Sequence, residues 1–301
     1  MLSKNFKKIA TIICLVSFFS YPAHGAAREK QMTGEFGMNP VVNLKKTVVF
    51  LGRINPDGKP QIYATGFLVN VQGTYHLLTA KHVVMNKLTG KMQDDNLLAF
   101  FNLKGGGVTV RSIADMKKKF GIEWIFHGDP KVDIAVIPFQ INPVEDDVKV
   151  ISDNLFLDPK YLTELYDVFF LSYQPGIEPK GEVSPIVRNG IISLINNDRS
   201  FYVDASVFPG NSGSPVFLKP SAIRFGEKGV VVGKDPLGGA FIGITGEYIT
   251  SQELAISAQT GRPRIVFEEN TGLSRVWSVV FIKDIINSDA FKQQLKKVAG
   301  K

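Results

Sequence analysis

Short runs of β-branched and aromatic residues, each closed within a few positions by Gly, Pro, Asn or Asp, recur along most of this 301-residue chain. Such runs are too short for stable helices, and their residue types suit a pleated, half-buried surface, so they predict an all-β protein. Strands are expected near 47–53, 63–70, 75–79, 97–101, 108–112, 134–138, 167–172, 182–195, 200–204, 215–218, 230–233, 240–248 and 276–281. Helical spacing is found mainly at the end, where Ile285, Ile286, Phe291, Leu295 and Val298 recur between charged residues. This predicts a packing helix over 283–298. Residues 141–159 are rich in Pro, Asp and Asn and read as a break between two halves, with Asp146, Asp147 and Asp153 as solvated loop acids. Residues 219–239 are long for a connection and read as an extended hairpin.

Residues 1–25 stand apart from this pattern. Lys4, Lys7 and Lys8 precede an apolar core from Ile9 to Tyr21, and Ala23 and Gly25 offer small residues to a processing peptidase. The arrangement predicts a secretory signal cleaved near Gly25, a mature chain of residues 26–301, and a secreted or periplasmic location. The core is shorter than the roughly 20 residues that span a bilayer, so no stable membrane anchor is expected. Cys14 is the only cysteine and lies inside that core. A mature chain without it has no disulfide, thiol nucleophile or thiolate metal site, and must be held by its apolar core. The formal net charge is +7, and the basic residues are scattered apart from Lys117, Lys118 and Lys119. That distribution does not match a nucleic-acid module, and no nucleic-acid partner is expected.

The segment Gly210-Asn211-Ser212-Gly213-Ser214-Pro215 is a tight turn in which two glycines let the backbone approach a substrate closely around an exposed hydroxyl. A serine is a weak nucleophile until a neighbouring base takes its proton and an acid orients that base. His82 follows the apolar run Tyr75 to Thr79 at a small-residue turn, and Asp133 opens the apolar run Ile134 to Ile137. Asp129 is the alternative acid and Ser214 the alternative nucleophile. His76 on an alternating strand and His127 in a loop read as structural residues.

Three segments, Thr79-Ala80-Lys81-His82-Val83, Asp133-Ile134-Ala135-Val136 and Gly210 to Pro215, occur in that order. Their motifs and order resemble those of the trypsin-like (chymotrypsin-fold) serine peptidases, in the secreted bacterial form. Thr65-Gly66-Phe67-Leu68-Val69 and Ala240 to Gly246 resemble the family's strands before the histidine and after the serine. The resemblance implies two six-stranded antiparallel β-barrels, near 40–145 and 155–283, with a terminal helix. It implies a Ser212–His82–Asp133 triad and an oxyanion hole built from the N–H groups of Gly210 and Ser212. The specificity pocket falls on Ser206, Thr245 and Gly246, with the direction of Glu247 left open. No metal or organic cofactor is implied, and the expected partner is a protein or peptide substrate. Digestive relatives place an aspartate before the serine to pair with a liberated N-terminus; here that residue is Asn211, so activation by that ion pair is not expected. Two alternatives stand beside the endopeptidase reading: a catalytically silent scaffold that binds a protein, and an esterase using the same triad.

Overall fold

The computed structural model describes residues 40–177, 181–226, 229–233, 235 and 237–299; the expected signal segment lies outside the described residues. A short helix α1 (Pro40–Lys45) leads into eight strands: β1 (Val48–Ile54), β2 (Pro60–Val71), β3 (Thr74–Thr79), β4 (Leu98–Asn102), β5 (Val108–Ser112), β6 (Ile125–Phe126), β7 (Ala135–Pro138) and β8 (Ile151–Ser152). They form one sheet in the order β5-β4-β1-β2-β3-β7-β6, with β8 parallel to β2. Two helices interrupt this half, α2 (Lys81–Val84) and α3 (Ile113–Phe120). Ser112 caps α3 by accepting the Asp115 N–H, and Gly121 ends it in the left-handed region at φ 65°, the conformation glycine adopts at lowest cost.

The second half closes into a six-stranded barrel, β10-β11-β16-β15-β12-β9, built from β9 (Asp167–Ser172), β10 (Ile186–Ile195), β11 (Phe201–Asp204), β12 (Pro215–Leu218), β15 (Phe241–Ile256) and β16 (Pro263–Ser278). Between β12 and β15, β13 (Ile223–Gly226) and β14 (Gly229–Val232) form the expected hairpin as a separate two-stranded sheet. Arg224 anchors it, paired with Asp235 and stacked 4.7 Å from the Tyr166 ring centroid. The mostly-β, two-part architecture expected of the chain is present, with eight strands in the first sheet.

Strand alternation explains how the halves join. On β1, Val49 and Leu51 face the interior of the first half with Leu68, Leu77, Phe101 and Ile137, because successive side chains point to opposite faces. Val48 and Phe50 point the other way, into a cluster shared with Phe169, Phe217, Phe241 and Trp277 of the second barrel. That barrel has its own interior around Val168, Phe170, Phe201, Val216 and Ile242.

The helix expected over 283–298 is two helices, α4 (Val279–Asn287) and α5 (Asp289–Ala299). Ser288 makes the break: its hydroxyl donates to the Ile285 carbonyl and accepts the Phe291 N–H, ending one helix and capping the next. Phe281, Ile282, Ile285 and Phe291 bury their side chains in the shared cluster. Two of the loop acids read as solvated are engaged. Asp146 is buried, accepting from Arg111 Nη2 at 2.7 Å and from the Asn142 N–H at 2.7 Å, and Asp147 pairs with Lys46 at 2.8 Å.

His76 is fully buried on β3, with its ring 4.6 Å from that of Phe291 on α5. Neither ring nitrogen has a well-formed hydrogen bond. Burial disfavours the imidazolium, and the nearby Thr74 backbone offsets only part of this, so the pKa is pushed down to about 4 from 6.5. The unfolded chain therefore binds more protons between those values, and stability is full above pH 6.5 and falls as pH drops toward 4. His76→Leu should flatten this part of the profile. Urea titrations from pH 7 to 4 should show the parent losing up to about 3 kcal/mol relative to the variant, and parallel curves would contradict the assignment.

Candidate active site

The β3–β7 ladder brings His82 and Asp133 together. Thr79 pairs with Ala135 at the end of the antiparallel register, so the residues just past β3 meet those just before β7. His82 lies there in α2, and Asp133 accepts from it twice. The His82 backbone N–H donates to Oδ1 at 2.9 Å, and Nδ1 lies 2.6 Å from Oδ2. A carboxylate can only accept, so the neutral ring carries its proton on Nδ1 and leaves Nε2 bare. The Asp133 side chain is 8% exposed and that of His82 26%. Burial alone would raise the Asp133 pKa. The ring hydrogen bond, the His82 charge, the His82 N–H and nearby Lys87 outweigh burial and hold the carboxyl below its usual range. Asp129 is spent elsewhere, accepting the Lys131 N–H within its own exposed loop.

The serine turn is fastened by a residue more than a hundred positions away. Thr65, on β2, donates its hydroxyl to the Gly210 carbonyl at 2.8 Å, and its N–H donates to the Ser212 carbonyl at 3.1 Å. The Thr65 carbonyl accepts the Thr79 hydroxyl at 2.8 Å, three residues before His82. One threonine therefore ties the turn of the second half to the histidine strand of the first. Gly213 makes this approach possible: at φ +85°, a Cβ there would stand 2.2 Å from the Thr65 carbonyl oxygen.

Within the turn, Asn211 is fully buried. Its amide donates to the Tyr173 carbonyl at 2.6 Å, its Oδ1 accepts the Phe208 N–H at 3.0 Å, and its carbonyl accepts the hydroxyls of Ser214 and Thr245. Ser214 is thus buried and committed, whereas Ser212 is partly exposed. Gly210 has φ +96°. Among the described residues, the N–H groups of Gly210 and Ser212 have no acceptor within the chain.

The remaining residues of the expected pocket separate. Thr245 is buried and braces the turn, its hydroxyl also accepting the Ser214 N–H at 3.0 Å. Gly246 leaves no room for a side chain, since a Cβ would lie 2.8 Å from Trp277 Nε1. Ser206 is exposed between buried Ala205 and Val207. Glu247 turns toward the histidine: one of its carboxylate oxygens and ligand atoms of His82 and Asp133 lie within 4.8 Å of one another. It is paired with Lys87. A cavity of about 450 Å³ adjoins these groups, lined also by Met85, Arg275 and Trp277. Asp133 already shares the ring proton and Glu247 an ammonium, so the arrangement suits charge pairing better than a metal. The Thr65 clamp and the Lys87–Glu247 pair were not foreseen; Thr65 sits in a recognisable strand motif, but nothing local signals its cross-sheet bond.

A sequence profile of the trypsin-like peptidase domain matches residues 64–222, which include His82, Asp133 and Ser212. The chain belongs to the trypsin-like peptidase family. Among solved structures, this trypsin-like peptidase is similar to the serine endoprotease from Yersinia pestis, with 15% sequence identity and a TM-score of 0.46. That match covers 84% of this chain and 65% of the Yersinia chain. No curated protein sequence matches.

Proposed function

We propose that the protein is an exported serine endopeptidase in which Ser212 is the nucleophile, His82 the general base and Asp133 its orienting acid. The observation that carries this reading is the His82–Asp133 double hydrogen bond, close to a serine turn that Thr65 clamps to the strand paired with the histidine strand. His82 Nε2, unprotonated, takes the Ser212 proton as the oxygen attacks the scissile carbonyl, and returns it to the leaving amine. The N–H groups of Gly210 and Ser212 stabilise the developing oxyanion, a contribution of about 10²- to 10³-fold in rate per donor. Water then releases the acyl group by the same steps.

In this reading residues 1–25 are a removed signal, and the mature chain begins near Ala26 with its barrels near 40–145 and 155–283. Among the described residues, no helix is long and apolar enough to cross a membrane. The test is labelling of the folded protein with a fluorophosphonate, mass mapping of the adduct, and hydrolysis assays on peptides and esters. A label on Ser212 with peptide cleavage supports the reading. Failure of folded protein to label favours a binding scaffold, and ester cleavage alone favours an esterase.

Asn211 motivates a second expectation. Neutral and buried, it locks the turn through Tyr173 and Phe208, a role that requires no charged N-terminus. Adding a residue ahead of Ala26 should therefore change kcat/KM by less than about twofold. A loss of about tenfold or more would show that a free N-terminus is needed.

A further inference from the structure

β15 and β16 outrun the barrel. β12 pairs with β15 as far as Ile244 and β11 with β16 as far as Leu273, yet the β15–β16 ladder continues from Thr250↔Asn270 to Ile256↔Pro263. The projecting ribbon carries apolar residues in water on both faces: Leu254, Ile256, Ile265, Val266 and Phe267 are each at least half exposed. An isolated two-stranded ribbon is marginally stable, and a long apolar edge is a template for another strand. A register slip and Pro263 interrupt only the tip; from Ile265 to Asn270 the ladder is regular.

The free edge has an unusual order of residues. About Val266, Ile265 mirrors Phe267 and Arg264 mirrors Glu268. All five are exposed, and among the described residues neither Arg264 nor Glu268 forms an ion pair. We propose that this edge of β16 pairs antiparallel with the same edge of a second copy, about a two-fold axis at Val266. The two ribbons then form one four-stranded sheet. Each Arg264 faces the other copy's Glu268, each Ile265 faces a Phe267, and opposed residues on antiparallel strands are the pairs that interact most strongly. A parallel arrangement would set Arg264 against Arg264. Glu253, Glu268 and Glu269 on the same ribbon disfavour an anionic membrane as the occupant. The self-complementary contact is isologous and closes at two copies.

Sedimentation equilibrium of the purified protein, carrying Ser212→Ala to prevent self-cleavage, tests this. A concentration-dependent dimer is expected. Arg264→Glu or Glu268→Arg alone should weaken it about tenfold or more, because each sets like charges opposite one another twice, and the double reversal should restore it. These exposed variants should keep the parent's circular dichroism and melting behaviour. Val266→Cys should be joined to itself by a short bismaleimide. A protein that stays monomeric at the highest concentration, a dimer indifferent to the single reversals or not rescued by the double one, or a dimer that Val266→Cys does not cross-link would each overturn the proposal. These readouts do not depend on catalysis.

Discussion

Ser212→Ala is expected to lower kcat/KM for peptide hydrolysis by about 10⁶-fold, and His82→Ala by a similar factor. The double variant should be little worse than either. In the proposed mechanism the hydroxyl and the imidazole act as one unit: without the base the hydroxyl keeps its proton, and without the hydroxyl the base has nothing to activate. The residual rate should reflect substrate binding and the backbone donors of Gly210 and Ser212, which side-chain truncation leaves in place. Ser214 offers no substitute, since its hydroxyl is buried and donates to the Asn211 carbonyl at 2.7 Å. Steady-state kinetics on freshly purified, folded variants checks this. A Ser212→Ala protein retaining a tenth of the parent's activity would remove Ser212 from the mechanism.

Asp133→Asn should reduce kcat by about 10⁴-fold with little change in fold. The carboxylate accepts from both the His82 N–H and the ring Nδ1, and an amide has only one oxygen. If that oxygen keeps the backbone N–H, the amide NH₂ faces Nδ1 and makes it an acceptor. The ring proton then moves to Nε2, the atom that must take the serine proton. The loss should appear in kcat more than in KM, because the residue orients the base and touches no substrate. Asp133 also links to acid stability. Despite burial, its contacts with His82 and Lys87 hold its carboxyl below the usual range, so its contribution is present at neutral pH and is lost as pH falls through the depressed value. Thermal melting of Asp133→Asn should lack that part of the acid-side slope, and a kcat within tenfold of the parent would contradict the positioning role.

In the proposed peptidase, Glu247 beside His82, neutralised by Lys87, would bear on substrate choice. The wall of the cavity next to the histidine is an ion pair, so in that reading a substrate residue entering it would meet both signs of charge. Ser206 and Thr245 offer less: the first is exposed on a strand-following segment, and the second is consumed in holding the turn.

What the chain determined locally was legible from its residues. Short runs of apolar, β-branched and aromatic residues marked strands such as β1, β3 and β9, because those residue types pack well on a pleated, buried surface. Gly210 and Gly213 marked a sharp turn because few other residues tolerate φ near +90°. The histidine and aspartate segments could be picked out because each is a short stretch at a strand end. The fold decided what depends on residues far apart in the chain. Asp146 is buried where Arg111 reaches it from β5. The projecting halves of β15 and β16 leave no strand signal in the sequence because they are exposed on both sides and carry no burial period. Thr65 acquires its role only when two sheets bring residues 145 positions apart within 2.8 Å. Local conformation follows from steric preference and hydrophobic period, whereas contacts between distant segments follow from how the two halves pack, which no window of neighbouring residues encodes.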